Sequence, residues 1–143
     1  MAASSTILSL DVGEKRIGVA RADLAVCIAS VVATLDRTET IIEDIQKLVL
    51  DNDATAVIIG LPRGLDGQET AQTQSVRRFA DQLQPNIAVD IIFQDEALTS
   101  RQAEAELEKR GKPYKKSDID ALAAIYILED YMASIRKGTS GNV

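Results

Sequence analysis

The first part of the chain alternates apolar and polar positions in steps of two, which indicates strands and not helices. Ile7 and Ser9 fall on one face of the first run, and Leu8 and Leu10 fall on the other. A second strand is predicted over residues 16–22, and a third over residues 26–35, which are rich in Val, Ile and Ala. Because short turns connect these runs, the first third of the chain predicts an antiparallel meander of three strands.

Beyond residue 38 the apolar spacing changes to the period of a helix, and helices then alternate with strands. An amphipathic helix is predicted up to about Asn52, followed by the run TAVIIGLP, which we expect to be a strand buried on both faces. A second helix is stopped by Pro85, and the run IAVDIIFQDEAL predicts another buried strand.

Two helices and a polar tail follow in the last part of the chain. The first helix begins at Thr99, where Thr99 and Gln102 fit a capping box, and it ends at Gly111. The second covers residues 117–135 and is apolar around most of its circumference, which predicts that it is well buried. Residues 136–143 are polar without a helical period, so we expect a flexible tail there.

This order of elements is typical of an α/β domain. We expect a mixed five-stranded sheet, with the first three strands antiparallel and with helices on its faces. At 143 residues the chain is the size of one domain, and no internal repeat or linker interrupts it. The expectation is therefore a single domain over residues 1–143.

The composition excludes several kinds of chemistry. The chain contains no histidine, so a Ser-His-Asp triad, a histidine general base and a zinc site of the His/Cys type are excluded. Cys27 is the only cysteine, which rules out an intrachain disulfide, and its apolar neighbours predict a small core residue. The sequence has no long apolar run and no signal peptide, and we expect a cytoplasmic protein.

The charge of the chain is unevenly distributed. The formal net charge is −6, which by itself argues against a nucleic-acid partner. However, the run KRGKPYKK, residues 109–116, holds five cations in eight positions and no acid. We call this segment the basic run, and it could neutralise several phosphates.

Acidic residues stand next to apolar sequence at the ends of predicted elements. Five of them close the first and fifth strands or open the last helix: Asp11, Asp95, Glu96, Asp118 and Asp120. Binding sites of α/β sheets gather at the carboxyl ends of strands, so these acids would meet if the first and fifth strands were neighbours. Three of them also have a purely structural interpretation: Asp11 as a turn residue, and Asp118 and Asp120 as acids favoured by the helix dipole, with Ser117 as N-cap. For the consecutive acids Asp95 and Glu96 such an interpretation is weaker, because no Gly, Asn or Pro turn residue is nearby.

A cluster of carboxylates needs a cation, because the negative charges otherwise repel one another and raise each other's pKa. Mg²⁺ and Mn²⁺ take such oxygen ligands. A pair of these ions about 4 Å apart can stabilise both the attacking and the leaving oxygen of phosphodiester cleavage. This chemistry needs no histidine, so it remains open to this chain.

The loop GLPRGLDGQETAQT is a second candidate for phosphate contact. It contains three glycines and precedes a helix, so its backbone N–H groups and Arg63 could meet a phosphate. A loop of this kind is more often only a connection. It is not a Walker motif, since the G-K-[ST] sequence is missing.

Four stretches of the chain, in this order, resemble one family. They are LDVGEKRIGVA, GLPRGLDGQETAQT, DEALTSRQAEAEL and IDALAAIYILEDY, and together they lie within residues 7–131. On these motifs the chain is similar to the YqgF/RuvX family, described as Holliday junction resolvase-like proteins and candidate pre-16S rRNA nucleases. The resemblance implies a ribonuclease H-like fold.

The resemblance also implies a catalytic, metal-binding triad of Asp11, Glu96 and Asp120 that would hold Mg²⁺ or Mn²⁺. Asp118 has no place in this triad, and it would be a helix-start acid or support the ligands. The family usually has an arginine after its Asp-Glu pair, whereas this chain has Ala97. The three acids themselves are intact.

The leading hypothesis is a metal-dependent endonuclease that processes structured RNA, namely the 5′ end of precursor 16S rRNA in ribosome biogenesis. Phosphates would be contacted by basic residues near the acids and along the basic run: Lys15, Arg16, Arg63, Lys109, Arg110, Lys112, Lys115 and Lys116.

Three alternatives remain open. The same acids would serve a resolvase that cuts four-way DNA junctions, which favours a two-fold dimer, and the sequence does not distinguish a monomer from a homodimer. A strand ending in D-x-G also begins the phosphate-binding lobe of actin-like ATPases and sugar kinases, although 143 residues supply only one lobe. The third alternative is a non-catalytic RNA-binding module.

Overall fold

The predicted meander forms three strands of a mixed five-stranded sheet. The computed structural model describes residues 5–64, 66–96 and 99–141, with side chains except those of 99–103 and 137–141. The strands are β1 (Thr6–Val12), β2 (Arg16–Asp23), β3 (Ile28–Asp36), β4 (Ala56–Pro62) and β5 (Asp90–Glu96). The first three pair antiparallel, while β4 runs parallel to β1 and β5 parallel to β4. The strand order across the sheet is β3-β2-β1-β4-β5.

Helices lie on both faces of this sheet in the part of the chain that the structure describes. They are α1 (Ile41–Asp51), α2 (Ala71–Leu83), α3 (Thr99–Lys109) and α4 (Lys116–Gly141), with a short 3₁₀ turn at Gln84–Asn86. The side of β1 that carries Leu8 and Leu10 packs against α1 and α2 in the larger apolar cluster. The side that carries Ile7 packs against α4 in the second cluster. The predicted alternation therefore assigns Ile7, Leu8, Ser9 and Leu10 to the correct faces.

Ser9 shows how closely α4 lies on the sheet. It is fully buried on the α4 face, and its hydroxyl donates to the carbonyl oxygen of Ala124 at 2.6 Å. A buried hydroxyl needs such a partner, because leaving it unpaired costs about 1–3 kcal/mol. This bond ties the centre of β1 to the middle of α4.

Three local predictions need correction. β5 is an edge strand with partly exposed residues, and not a strand buried on both faces, because it pairs only with β4 in the described sheet. Residues 24–27 form a turn in which Cys27 has a φ of +57° and is half-buried, so β3 starts later than expected and Cys27 is not a core residue. The helix α4 continues to Gly141, where a flexible tail from residue 136 was expected.

The C-terminal end of α3 agrees with the prediction. Gly111 follows α3 with a φ of +69°, which confirms the predicted terminator. The capping box of Thr99 and Gln102 lies outside the described side chains.

Across the helices that the structure describes, none combines the length and apolarity of a membrane-crossing segment.

Candidate active site

Asp11 and Asp120 come together where α4 crosses the start of the meander. Asp11 follows Ile7 and Ser9 on the α4 face of β1, and its antiparallel partner on β2 is Gly18. A Cβ atom on Gly18 would lie 2.1 Å from the backbone oxygen of Asp120. Only a residue without a side chain lets the helix backbone approach this closely, so Gly18 brings the start of α4 next to Asp11.

The environment of Asp11 disfavours its negative charge. Burial, and secondly repulsion by Asp120, raise the pKa of Asp11 to about 7. Asp120 is partly buried and forms an ion pair with Arg16, whose Nε donates to Asp120 Oδ2 at 2.9 Å. The described part of the site therefore brings two interacting carboxylates and the Arg16 guanidinium group together on the α4 face of the sheet.

Successive side chains of β5 point to opposite faces of the sheet, so Asp95 and Glu96 at its end lie on different faces. Glu96 lies on the same face as Ile92, which packs in the cluster under α4, and Glu96 is 9% exposed. Asp95 points to the other face, where it accepts a hydrogen bond from Arg63 Nε at 3.1 Å. Of these two acids, Glu96 is therefore the one that shares a face with Asp11.

Glu96 is not next to Asp11, because β4 lies between β1 and β5. The condition under which the acids of the first and fifth strands would meet is therefore not fulfilled, and two strand spacings amount to roughly 10 Å. On β4 the residue paired with Glu96 is Pro62, and Gly60 lies two positions earlier on the same face. A Cβ atom on Gly60 would lie 3.5 Å from Glu96 Cγ and 2.5 Å from Ile127 Cδ1. The side chains of Glu96 and Ile127 thus lie over Gly60, between β5 and α4.

These residues fit a hard divalent cation by their chemistry and only in part by their arrangement. Asp11 and Asp120 are oxygen donors whose mutual repulsion a cation would relieve. Within the described ranges, however, no three His, Cys, Asp or Glu side chains converge as a metal-binding group. The structure brings together the Asp11–Asp120 pair, and it places Glu96 on the same face at a greater distance.

The raised pKa of Asp11 predicts a pH-dependent stability of the metal-free protein. The folded state holds a proton on Asp11 up to about pH 7, whereas the unfolded state releases it near its ordinary pKa of 3.8. Stability from this group is therefore fully present below pH 3.8 and is lost as the pH rises towards 7, by at most about 1.4 kcal/mol per pH unit. In EDTA, the free energy of unfolding of wild type, measured in urea relative to Asp11→Asn, should fall between pH 4.5 and pH 7. A difference that is constant with pH would contradict this.

Asp118 has a structural role at the start of α4. The helix begins at Lys116, so Asp118 occupies its third position, and Asp118 Oδ2 accepts the backbone N–H of Lys115 at 2.8 Å. The prediction that Ser117 is the N-cap is wrong, and Asp120 lies deeper in the helix than that prediction placed it. The Asp118 carboxylate therefore caps the N-terminus of α4, whereas Asp120 lies beside Asp11.

The predicted phosphate contacts fall into three groups. Lys15 is exposed in the β1–β2 turn, and Arg16 pairs with Asp120. Arg63 pairs with Asp95 and lies 3.9 Å from a Glu69 oxygen, so its charge is already compensated. The exposed cations of the basic run occupy the end of α3, the α3–α4 connection and the first residue of α4: Lys109, Arg110, Lys112, Lys115 and Lys116.

Arg37 supports the site and was not identified from the sequence. Its Nη1 donates to the carbonyl oxygen of Gly13 at 2.9 Å, and its backbone N–H donates to the carbonyl oxygen of Lys15. Its guanidinium group also stacks 5.0 Å from the ring centroid of Phe79. Arg37 thereby braces the turn between Asp11 and Arg16. No local motif marks it, because its partners lie on other elements.

Comparison with known sequences identifies the family. Residues 5–134 match the family described as RuvX, Holliday junction resolvase. The chain belongs to the RuvX family. A relative from Chloroflexus aurantiacus named "Putative pre-16S rRNA nuclease" is 41% identical, covering 91% of this chain and 88% of its own. Relatives of the same name from Sulfurihydrogenibium sp. and Fusobacterium nucleatum are 38% and 35% identical over 90% and 87% of this chain and 90% and 94% of their own.

Solved structures support the fold of this RuvX family member. RuvC of T. thermophilus in complex with a Holliday junction substrate superposes with a TM-score of 0.54 at 14% identity, covering 91% of this chain and 95% of its own. The resolvase of fowlpox virus in complex with Holliday junction DNA gives a TM-score of 0.55 at 18% identity, covering 91% and 98%. The expected ribonuclease H-like fold is confirmed.

Ala97, which stands where the family usually has an arginine, lies outside the described residues.

Proposed function

We propose that this RuvX family member is a metal-dependent nuclease of structured RNA whose substrate is precursor 16S rRNA. The observation that carries the proposal is the meeting of Asp11 and Asp120 on the α4 face of the sheet, where burial and repulsion raise the pKa of Asp11 to about 7. The names of the relatives support the choice of substrate. Residues 1–143 would act as one nuclease domain in the cytoplasm, where ribosomes assemble.

Each candidate side chain has a separate role in this proposal. Asp11, Asp120 and Glu96 would hold Mg²⁺ or Mn²⁺, with the first two as the closest pair. The bound cation would activate water and neutralise charge on the phosphate. Arg16 holds the Asp120 carboxylate in place through the 2.9 Å ion pair. Lys15 and the basic run would bind phosphates on either side of the cleaved bond.

A second candidate function is the resolution of four-way DNA junctions, and the description of the family favours it. Resolution requires two symmetric cuts, so it calls for a two-fold dimer. The acids would be the same. The two functions therefore differ in substrate and assembly, and both can be measured.

Comparison of three substrates tests the proposed function. We expect cleavage of a precursor 16S rRNA fragment in Mn²⁺ or Mg²⁺, no cleavage in EDTA, and slower cleavage of a plain RNA duplex and of a four-way DNA junction. The products are measured on denaturing gels. Paired symmetric cuts in the junction at a higher rate than RNA cleavage would establish the second candidate function instead. Absence of metal-dependent cleavage of all three substrates would refute both.

A further inference from the structure

A mostly apolar pocket lies between the α3–α4 hairpin and the edge strand β3. Its volume is about 410 Å³, which is within the usual range of roughly 300–1,000 Å³ for ligand pockets. Leu107, Leu122 and Ile125 provide much of its apolar lining, and Val31 closes it on the side of β3. None of these residues is a candidate ligand or phosphate contact. Neither Asp11 nor Asp120 lines it, so the pocket is separate from the acid pair.

The rim of the pocket carries groups suited to a nucleic acid. Arg110 and Lys112 of the basic run line it, and so does Tyr114. Arg110 Nη2 also lies 3.4 Å from Glu106 Oε1, in an exposed ion pair that a phosphate can replace. The Tyr114 hydroxyl donates to Glu108 Oε1 at 3.3 Å, which orients the ring at the pocket wall. An aromatic ring beside an apolar floor binds the face of a base, and neighbouring cations bind the phosphates on either side of it.

The position of the pocket connects it to the acid pair. Asp118 and Ala121 line the pocket from the first turns of α4, and Asp120 lies between them in the sequence. The hydroxyl of Thr34 on β3 donates to the carbonyl oxygen of Ser117 at 3.0 Å, which fixes this part of α4 against the strand. The acid pair and the pocket therefore share the first turns of α4, which connect them.

We infer that this pocket receives one unpaired base of the nucleic acid, with Tyr114 stacked against it and Arg110 and Lys112 on the flanking phosphates. The inference rests on the proposed function and deepens it, because it assigns the enzyme a preference for substrates with single-stranded positions next to the cleaved bond. The distribution of charge along the chain supports a nucleic acid as the ligand of this pocket. In a protein of net charge −6, the apolar pocket opens beside a segment with five cations and no acid.

The test compares two ligands of equal charge in EDTA, where no cleavage occurs. One is a short oligouridylate, and the other is a strand of the same length whose sugars carry no base. By fluorescence anisotropy, we expect the wild-type protein to bind the oligouridylate about fivefold or more tightly than the strand without bases. Equal affinities would overturn the inference.

Two matched pairs of variants locate the effect in the pocket. Val31→Glu, at a position 51% exposed on β3, should abolish most of the preference for bases. Ile28→Glu, at a position 69% exposed on the same strand but not lining the pocket, should retain it. Likewise, Tyr114→Ala should lose the preference and Tyr114→Phe should keep it, because the ring and not the hydroxyl stacks on the base.

The outcomes separate this inference from the proposed function. A preserved base preference in Val31→Glu would overturn the inference, whether or not the enzyme cleaves RNA. If Val31→Glu instead changes the oligomeric state in sedimentation while base preference is retained, the surface joins copies of the chain and the inference is wrong. If the protein binds the oligouridylate more tightly than the strand without bases but shows no metal-dependent cleavage, only the proposed nuclease activity is refuted.

Discussion

Asp11→Asn should lower metal-dependent RNA cleavage by about a thousandfold or more, which is about 4 kcal/mol of lost transition-state stabilisation. The substitution keeps the size of the side chain and removes one of the two carboxylates that would hold the cation. It also removes the repulsion with Asp120, so the metal-free variant should fold at least as stably as wild type near pH 8. Single-turnover cleavage of the precursor rRNA fragment and thermal unfolding measure these two effects.

The two acids at the end of β5 supply the control. Glu96→Gln should lower cleavage strongly, because Glu96 shares the face of Asp11. Asp95→Asn should leave cleavage near the wild-type level, since the side chain of Asp95 is 68% exposed on the opposite face and pairs with Arg63. Full activity of Asp11→Asn, or equal losses for the two β5 variants, would contradict the assignment of the site.

Gly18→Ala should destabilise the protein by about 3 kcal/mol, the upper end of the usual range for overpacking a core. The added Cβ atom would overlap the backbone oxygen of Asp120, which cannot rotate away as a side chain can. The helix α4 must therefore shift from the sheet, and Asp120 moves away from Asp11. We expect a lower midpoint in urea unfolding, and a loss of cleavage even at temperatures where the variant is folded.

Gly60→Ala is the matched substitution on the same sheet face. Its Cβ atom would lie 2.5 Å from Ile127 Cδ1, the end of a side chain that can change rotamer. The loss of stability should therefore be smaller than for Gly18→Ala. If the two variants were equally stable, the close approach of α4 to Gly18 would not be what holds the acid pair together.

Much of the fold could be predicted because it depends on local patterns. Alternation in β1 places Leu8 and Leu10 on one face and Ser9 on the other, since successive side chains of a strand point to opposite sides. Helical spacing likewise identifies the buried apolar residues of α2, which are Val76, Phe79, Ala80 and Leu83, but not the buried Thr73. The errors arose where burial depends on distant neighbours: β5 looked like a central strand, and nothing in its own sequence shows that it lies at the edge.

The sequence by itself determined the meander, the periodic helices, the absence of histidine chemistry and, through four motifs, the family, and it proposed Asp11, Glu96 and Asp120 as the acids of the site. Only the tertiary structure decided which of those acids meet. The strand order separates Glu96 from Asp11 by β4, whereas Gly18 lets α4 bring Asp120 beside Asp11 and pair it with Arg16, 104 residues away in the chain. Periodicity reports the face on which a residue lies, but distances across the sheet depend on strand order and helix packing, which no short segment encodes.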